Sequence, residues 1–156
     1  CALWHIAAMD QGMLLTPKIV DGLYVEAMVL ADEARSYFDR AAREDRLSLT
    51  PIDRVGFSCE SLKVTTRLMH VIAWLLTQKA VAAGELQPRQ ARVPERRLGE
   101  APVTEEELLP RLPEAAVALI RGSEELYDRV RRLDEGLGAA APSPARSLLN
   151  RLERSL

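Results

Sequence analysis

Apolar side chains recur at alternating steps of three and four residues over three long stretches of this chain, which is the spacing of amphipathic helices. In the first stretch, Val20, Leu23, Ala27, Leu30, Ala34, Tyr37 and Ala41 fall on one stripe. Glu26, Asp32, Glu33, Arg35 and Asp39 fall mostly on the other side. The start is marked by "LTPKIVD", with Thr16 in the N-cap place and Pro17 first in the helix. A threonine oxygen there accepts from an orphan amide, and proline loses nothing at N1. The pattern predicts a helix over about 17–43, after which "REDRLSL" turns the chain.

The second stretch opens in the same way, with Thr50 and Pro51 of "LTPIDRV", and predicts a helix over about 51–83 stopped by Gly84. At 1.5 Å per residue it is roughly 50 Å long. One stripe is Ile52, Val55, Cys59, Leu62, Thr66, Met69, Ala73, Leu76 and Ala80. A second holds Phe57, Ser61, Val64, Leu68, Val71 and Leu75, with Ile72 between the two. Phe57, Val64, Leu68, Val71 and Leu75 are the candidate core or dimer stripe. A narrow polar sector remains, with Glu60, Lys63, Arg67, His70 and Thr77, and with Trp74 among them. The outer helix of a small bundle needs an apolar arc of about 100°, and this one spans roughly twice that. Three helices cannot cover such a surface, so self-association is expected.

From Glu85 to about Val103 the period collapses into "ELQPRQARVPERRLGEAPV", which reads as a solvated, mobile loop. "VTEEELL" then offers a capping box of Thr104 with Glu107, and a third helix is expected over about 105–137, interrupted or reset by Pro110 and Pro113. Its stripe is Leu112, Ala116, Leu119, Ser123, Leu126, Val130, Leu133 and Leu137. "GAAAPSPARS" ends the core, and the 138–156 tail is expected to be flexible, with "SLLNRLERSL" able to form a short helix. No strand signal or internal repeat stands out. The expected fold is an all-α, three-helix up-down-up bundle over 16–137.

Composition narrows the function classes. The 156 residues are 47% hydrophobic and 28% charged, enough for one domain with a single core. A formal net charge of −2 gives no general attraction to nucleic acid or membranes. The apolar run Val71 to Leu76 is far short of the roughly 20 residues a spanning helix needs. Two cysteines, Cys1 and Cys59, make no disulfide framework and fit a reducing cytoplasm. Cys59 reads as a small core hydrophobe. The opening "CALWHIAAMDQGMLL" lacks a signal peptide's basic start and cleavage site. It reads as an apolar overhang over 1–15, with Met9 or Met13 as the natural start.

Candidate chemistry is sparse. Thr66 and His70 are one turn apart, but a helix interior offers no oxyanion donors and no strained elbow. His5 and His70 form no metal-ligand pattern. Arg89, Arg92, Arg96 and Arg97 lie in the proline-rich loop, and Arg129, Arg131 and Arg132 alternate with acids, so both groups read as solvated surface. No catalytic residue, cofactor or metal is expected.

Three segments carry a resemblance: "VDGLYVEAMVLADEARSYF" at 20–38, "ESLKVTTRLMHVIAWLLTQKAV" at 60–81 and "SEELYDRVRRLDE" at 123–135. They resemble the regulator-of-CtrA-degradation (RcdA) family, most specifically through Glu60-Ser61, "TTRLM" at 65–69, and Trp74-Leu75-Leu76 with Gln78. The resemblance implies a homodimeric three-helix bundle acting as a non-enzymatic adaptor. Such proteins help a primed ClpXP protease degrade cell-cycle regulators, alongside a receiver-domain protein (CpdR) and further adaptors or cargo. The family's mobile tail is also implicated, and "APSPARSLLNRLERSL" departs from it. Partner contact is expected in the polar sector, at Glu60, Lys63, Arg67, His70 and Trp74, where an indole lies beside an arginine. The competing expectation is that Glu60 pairs with Lys63 and Trp74 covers the core edge. A small-ligand sensor with a void beside Ala73, Ala80 and Ser123 is the alternative function, and a purely structural dimer is the third.

Overall fold

Two threonine–proline pairs set the frame. Thr16 Oγ1 accepts from the Ile19 amide and Thr50 Oγ1 from the Asp53 amide, each at 3.3 Å. They cap α1 (Pro17–Ser36) and the 32-residue helix α3 (Pro51–Ala82). The computed structural model describes residues 16–140 and 144–155, which are helical with no strand among them. The expectations for 1–15, including the apolar overhang, its start methionines and His5, lie outside the described residues.

The first helical path runs further than about residue 43. After α1, a wider π turn at Tyr37–Ala41 leads into α2 (Ala42–Leu47). The turn lets two consecutive aromatics, Tyr37 and Phe38, face Phe57, with ring centroids 6.5 and 5.7 Å away. Tyr37 Oη donates to Asp45 Oδ2 at 2.7 Å. Burial, with the Asp45 bond second, pushes the Tyr37 phenol far above its usual range, so it stays a donor. At the far end of α3, Gly84 takes φ 75°, a left-handed stop that suits glycine.

The third long helix, α5 (Glu114–Ala140), starts nine residues later than the expected 105. Thr104 is buried, and its hydroxyl accepts from Arg67 instead of closing a capping box. Glu106–Arg111, with Pro110 inside it and Pro113 just after it, forms two turns of 3₁₀ helix instead of the start of α5.

Helix directions correct the expected topology. Lys79, late in α3, donates to Asp21, early in α1, at 3.1 Å, so these two are antiparallel. Arg67 bonds Ser123 and Trp74 bonds Asp134, so α3 and α5 run the same way. Glu26 pairs with Arg129, and Leu30 lies against Gly122, making α1 and α5 antiparallel. The bundle is therefore up-down-down, not up-down-up.

Joining two parallel helices requires a connection as long as the helix. Residues 83–113 make that return. They contain a short helix, α4 (Pro88–Ala91), and then run back along α3. Gly99 meets His70, the Pro102 carbonyl meets Arg67, the Glu105 amide meets Glu60, and Leu108 meets Gly56. Arg111 finally pairs with Asp53 at 3.0 Å. The segment expected to be a solvated loop is a strap, tied to α3 at Asp53, Glu60 and Arg67 and packed against it at Gly56 and His70.

The strap sits close enough to forbid one methyl group. A Cβ at Gly56 would lie 2.5 Å from Leu108 Cδ2, and Leu108 is itself buried. Alanine in a helix gains about 1 kcal/mol over glycine, but overpacking a core costs about 1–3 kcal/mol. We expect Gly56→Ala to lower the urea midpoint, a net loss of about 1 kcal/mol. A raised midpoint would show that Leu108 yields.

A helix α6 (Pro144–Ser155) forms in the region expected to be a tail. Its Leu148, Leu149 and Leu152 are exposed.

Candidate functional site

Helix α3 presents two faces, one buried and one exposed, and the polar sector lies on the buried one. Its buried side holds Phe57, Val64, Leu68, Val71 and Leu75, so the candidate stripe is core. Asp53, Glu60, Arg67, Trp74 and Gln78 are buried with them. The polar sector therefore points into the fold, towards the strap and α5.

Of the buried polar side chains there, Asp53, Glu60, Arg67 and Trp74 are bonded within the chain. Arg67, 3% exposed, donates to Thr104 Oγ1 at 2.6 Å, the Pro102 carbonyl at 3.1 Å and Ser123 Oγ at 3.2 Å. One guanidinium thus ties the strap to both long helices, a use that suits its rigid fork of donors. Glu60 Oε1 accepts from Lys63 Nζ at 2.9 Å and from the Glu105 amide at 3.0 Å. That carboxylate holds the strap where its 3₁₀ helix begins. Glu60 Oε2 is buried without a partner among the described residues. Trp74 Nε1 donates to Asp134 Oδ1 at 2.9 Å, and Arg97 Nε donates to the same oxygen at 2.8 Å. Hydrogen bonding to Asp134 pushes the Arg97 guanidinium still further above its ordinary range. His70 packs its ring where a Cβ on Gly99 would fall.

Of the five residues expected to face a partner, Glu60, Arg67 and Trp74 are enclosed, and only Lys63 and His70 keep partial exposure. The pairing of Glu60 with Lys63 and the burial of Trp74 follow the competing expectation. Ser123, Thr104 and Asp134 were not singled out as a functional set. Ser123 did leave a signal, since it interrupts an otherwise apolar stripe where a buried arginine needs an acceptor.

The opposite face of α3 is apolar and uncovered. Ile52, Val55, Leu62, Met69 and Leu76 are 79%, 62%, 67%, 65% and 48% exposed. Cys59, expected in the core, is exposed among them. At 100° per residue these positions occupy one arc on the side away from the core. Thr66, Ala73 and Ala80 continue it, and no charged residue lies on that line. Beside it, a groove between α1 and α3 is walled by Ala34, Phe38, Leu68 and Ile72.

The candidate reaction pair does not form. Thr66 Oγ1 donates to the Leu62 carbonyl at 2.9 Å, the usual back-bond of a helical threonine, and His70 is held against the strap. Among the described residues no cluster of His, Cys, Asp or Glu could hold a metal ion, and no helix is long and apolar enough to cross a membrane. Of the three small residues expected beside a void, Ser123 is fully buried and bonded, Ala73 faces solvent and Ala80 is partly exposed.

These features define an all-helical bundle, clasped by a strap, whose buried polar side chains tie the chain to itself. The model of a family described as "Protein of unknown function (DUF1465)" matches residues 12–156, and the chain belongs to that family. It is similar to the crystal structure of RcdA from Caulobacter crescentus CB15, at 35% identity and a TM-score of 0.65. The match covers 80% of this chain and 94% of that one, which makes this an RcdA-like protein. No curated protein matches the sequence.

Proposed function

We propose that this protein is a non-enzymatic, cytoplasmic adaptor that assists ClpXP in the regulated proteolysis of bacterial cell-cycle regulators. The observation that carries the reading is its 35% identity to RcdA across 94% of that chain. The proposed partners are primed ClpXP, a receiver-domain protein and either a substrate or a second adaptor. Lys63 and His70, at the border between α3 and the strap, are the members of the polar sector that a partner can reach.

The outward face of α3 supports a homodimer. From Ile52 to Leu76 it extends roughly 36 Å, at 1.5 Å per residue. A charge-free line of that length is self-complementary when two copies cross antiparallel about Thr66, as a two-fold interface requires. Exposed apolar area of this extent is uncommon on monomers.

Reconstituted proteolysis tests the adaptor role. Degradation of a cell-cycle substrate by ClpXP is followed with and without the receiver-domain primer and this protein. The expected result is faster turnover only when both are present. Unchanged turnover across several substrates, with the protein verified as folded, would reject the adaptor reading.

A further inference from the structure

Where α1 begins and α3 ends, the bundle leaves a partly enclosed cavity of about 250 Å³ that the adaptor reading does not use. Val20, Val81, Ala91 and Leu137 supply apolar wall, contributed by α1, α3, the strap and α5. The polar lining is Gln78, Asp134, Arg92 and Arg97. The uncovered apolar face of α3 contributes none of these residues, so the cavity and that face are separate surfaces.

Gln78 is the cavity's buried polar side chain that the described residues leave unbonded. It is 8% exposed, lines the cavity, and its amide has no hydrogen-bond partner among the described residues. What remains exposed of Gln78 opens onto the cavity, so its amide is free to bond whatever fills it. Every other buried polar side chain of α3 is bonded to the strap or to α5. The lining also carries an unbalanced positive charge. Arg97 and Asp134 are bonded to each other, while Arg92, half-buried, has no acidic partner among the described residues. A cavity of this size holds on the order of eight waters at liquid density, below the range for drug-sized ligands.

We propose that this cavity binds a small free carboxylic acid with an apolar body. The body lies against Val20, Val81, Ala91 and Leu137. The carboxylate pairs with Arg92 and accepts from the Gln78 amide. A cationic head would meet Arg92 unfavourably, and a larger anion would not fit beside the Arg97–Asp134 pair.

Octanoate serves as the probe, titrated into the full ¹⁵N-labelled chain, with octylammonium and octan-1-ol as controls that share its tail. Saturable shifts should centre on the Gln78 side-chain amide and the backbone of Val81, Ala91 and Leu137. Octylammonium should bind at least about tenfold more weakly, and Arg92→Ala should weaken octanoate by about tenfold, the worth of one charged hydrogen bond. Ala91→Phe, which fills the cavity, should abolish the shifts. Loss of saturation, equal affinity for octylammonium, or octanoate binding undiminished in Arg92→Ala would each overturn the proposal. If Ala91→Phe does not fold, the arginine variant and the choice of head group decide it. Dimerisation and proteolysis are read separately, so a failure here leaves the adaptor reading intact.

Discussion

Replacing Arg67 by alanine is expected to lower the thermal midpoint by roughly 10 °C, a loss of about 3–5 kcal/mol in a domain of this size. Arg67 makes three hydrogen bonds to groups in the strap and α5, two of them to side chains that are themselves buried. Bonds to a charged group contribute about 1.5–3 kcal/mol each, and removing the donor also leaves Thr104 and Ser123 with unmet oxygens. The loss should appear first in the strap. Hydrogen exchange at the Glu105 amide, bonded to Glu60, should speed up before exchange in the centre of α3. Arg67→Lys should recover little, because an ammonium cannot span three acceptors with a planar fork. Calorimetry giving a midpoint within about 3 °C of the parent would mean that water replaces the arginine, and that the strap is not held by it.

The second expectation separates the two faces of α3 by placing one charge on each. Leu68 is 4% exposed, in the wall of the groove between α1 and α3. Leu68→Glu removes about 2–3 kcal/mol of apolar burial and forces a carboxylate into that space, a total on the order of 5 kcal/mol or more. That is comparable with the whole stability of a typical domain, so the variant should be unfolded or loosely packed by circular dichroism. Leu62 is 67% exposed, on the outward face. Leu62→Glu should leave the fold within about 0.5 kcal/mol and convert a dimer into a monomer by light scattering. A folded Leu68→Glu protein would mean that the helix is turned differently from the structure described. A Leu62→Glu protein that remains dimeric would move the contact elsewhere, with the exposed Val25, Met28 and Val29 of α1 the next face to test.

How far the sequence reached is clearest along α3. Its start, its stop and its length follow from Thr50, Pro51 and Gly84, because caps and breakers act through neighbouring residues alone. That its apolar surface exceeds what two neighbouring helices can cover was equally legible. Which part would be covered was not. Periodicity gives relative angles around a helix but not the rotation of that helix against its neighbours. Leu62 and Leu68 carry the same side chain, yet one faces solvent and the other the core. The rule that polar residues face outward then placed Glu60, Arg67 and Trp74 on the wrong side. It failed because their partners, Glu105 for Glu60, Pro102, Thr104 and Ser123 for Arg67, and Asp134 for Trp74, are 35 to 60 positions away.

The strap shows the same limit from the other direction. A stretch with prolines and arginines has no period of its own, and locally it reads as a loop. It becomes ordered structure only because α3 and α5 run parallel, which forces the chain to travel back over a full helix length beside buried polar groups. By itself, the sequence determined an all-helical chain, three long helices, the capped starts of the first two, a surplus of apolar surface on the second, and membership of the RcdA-like family. Only the tertiary structure decided the up-down-down order, the start of the third helix at Glu114, the inward turn of the polar sector, and the cavity beside Gln78. The division has one physical cause. Helix formation and termination are set by residues a turn or less apart, whereas rotation, direction and enclosure are set by contacts between residues that the sequence keeps far apart.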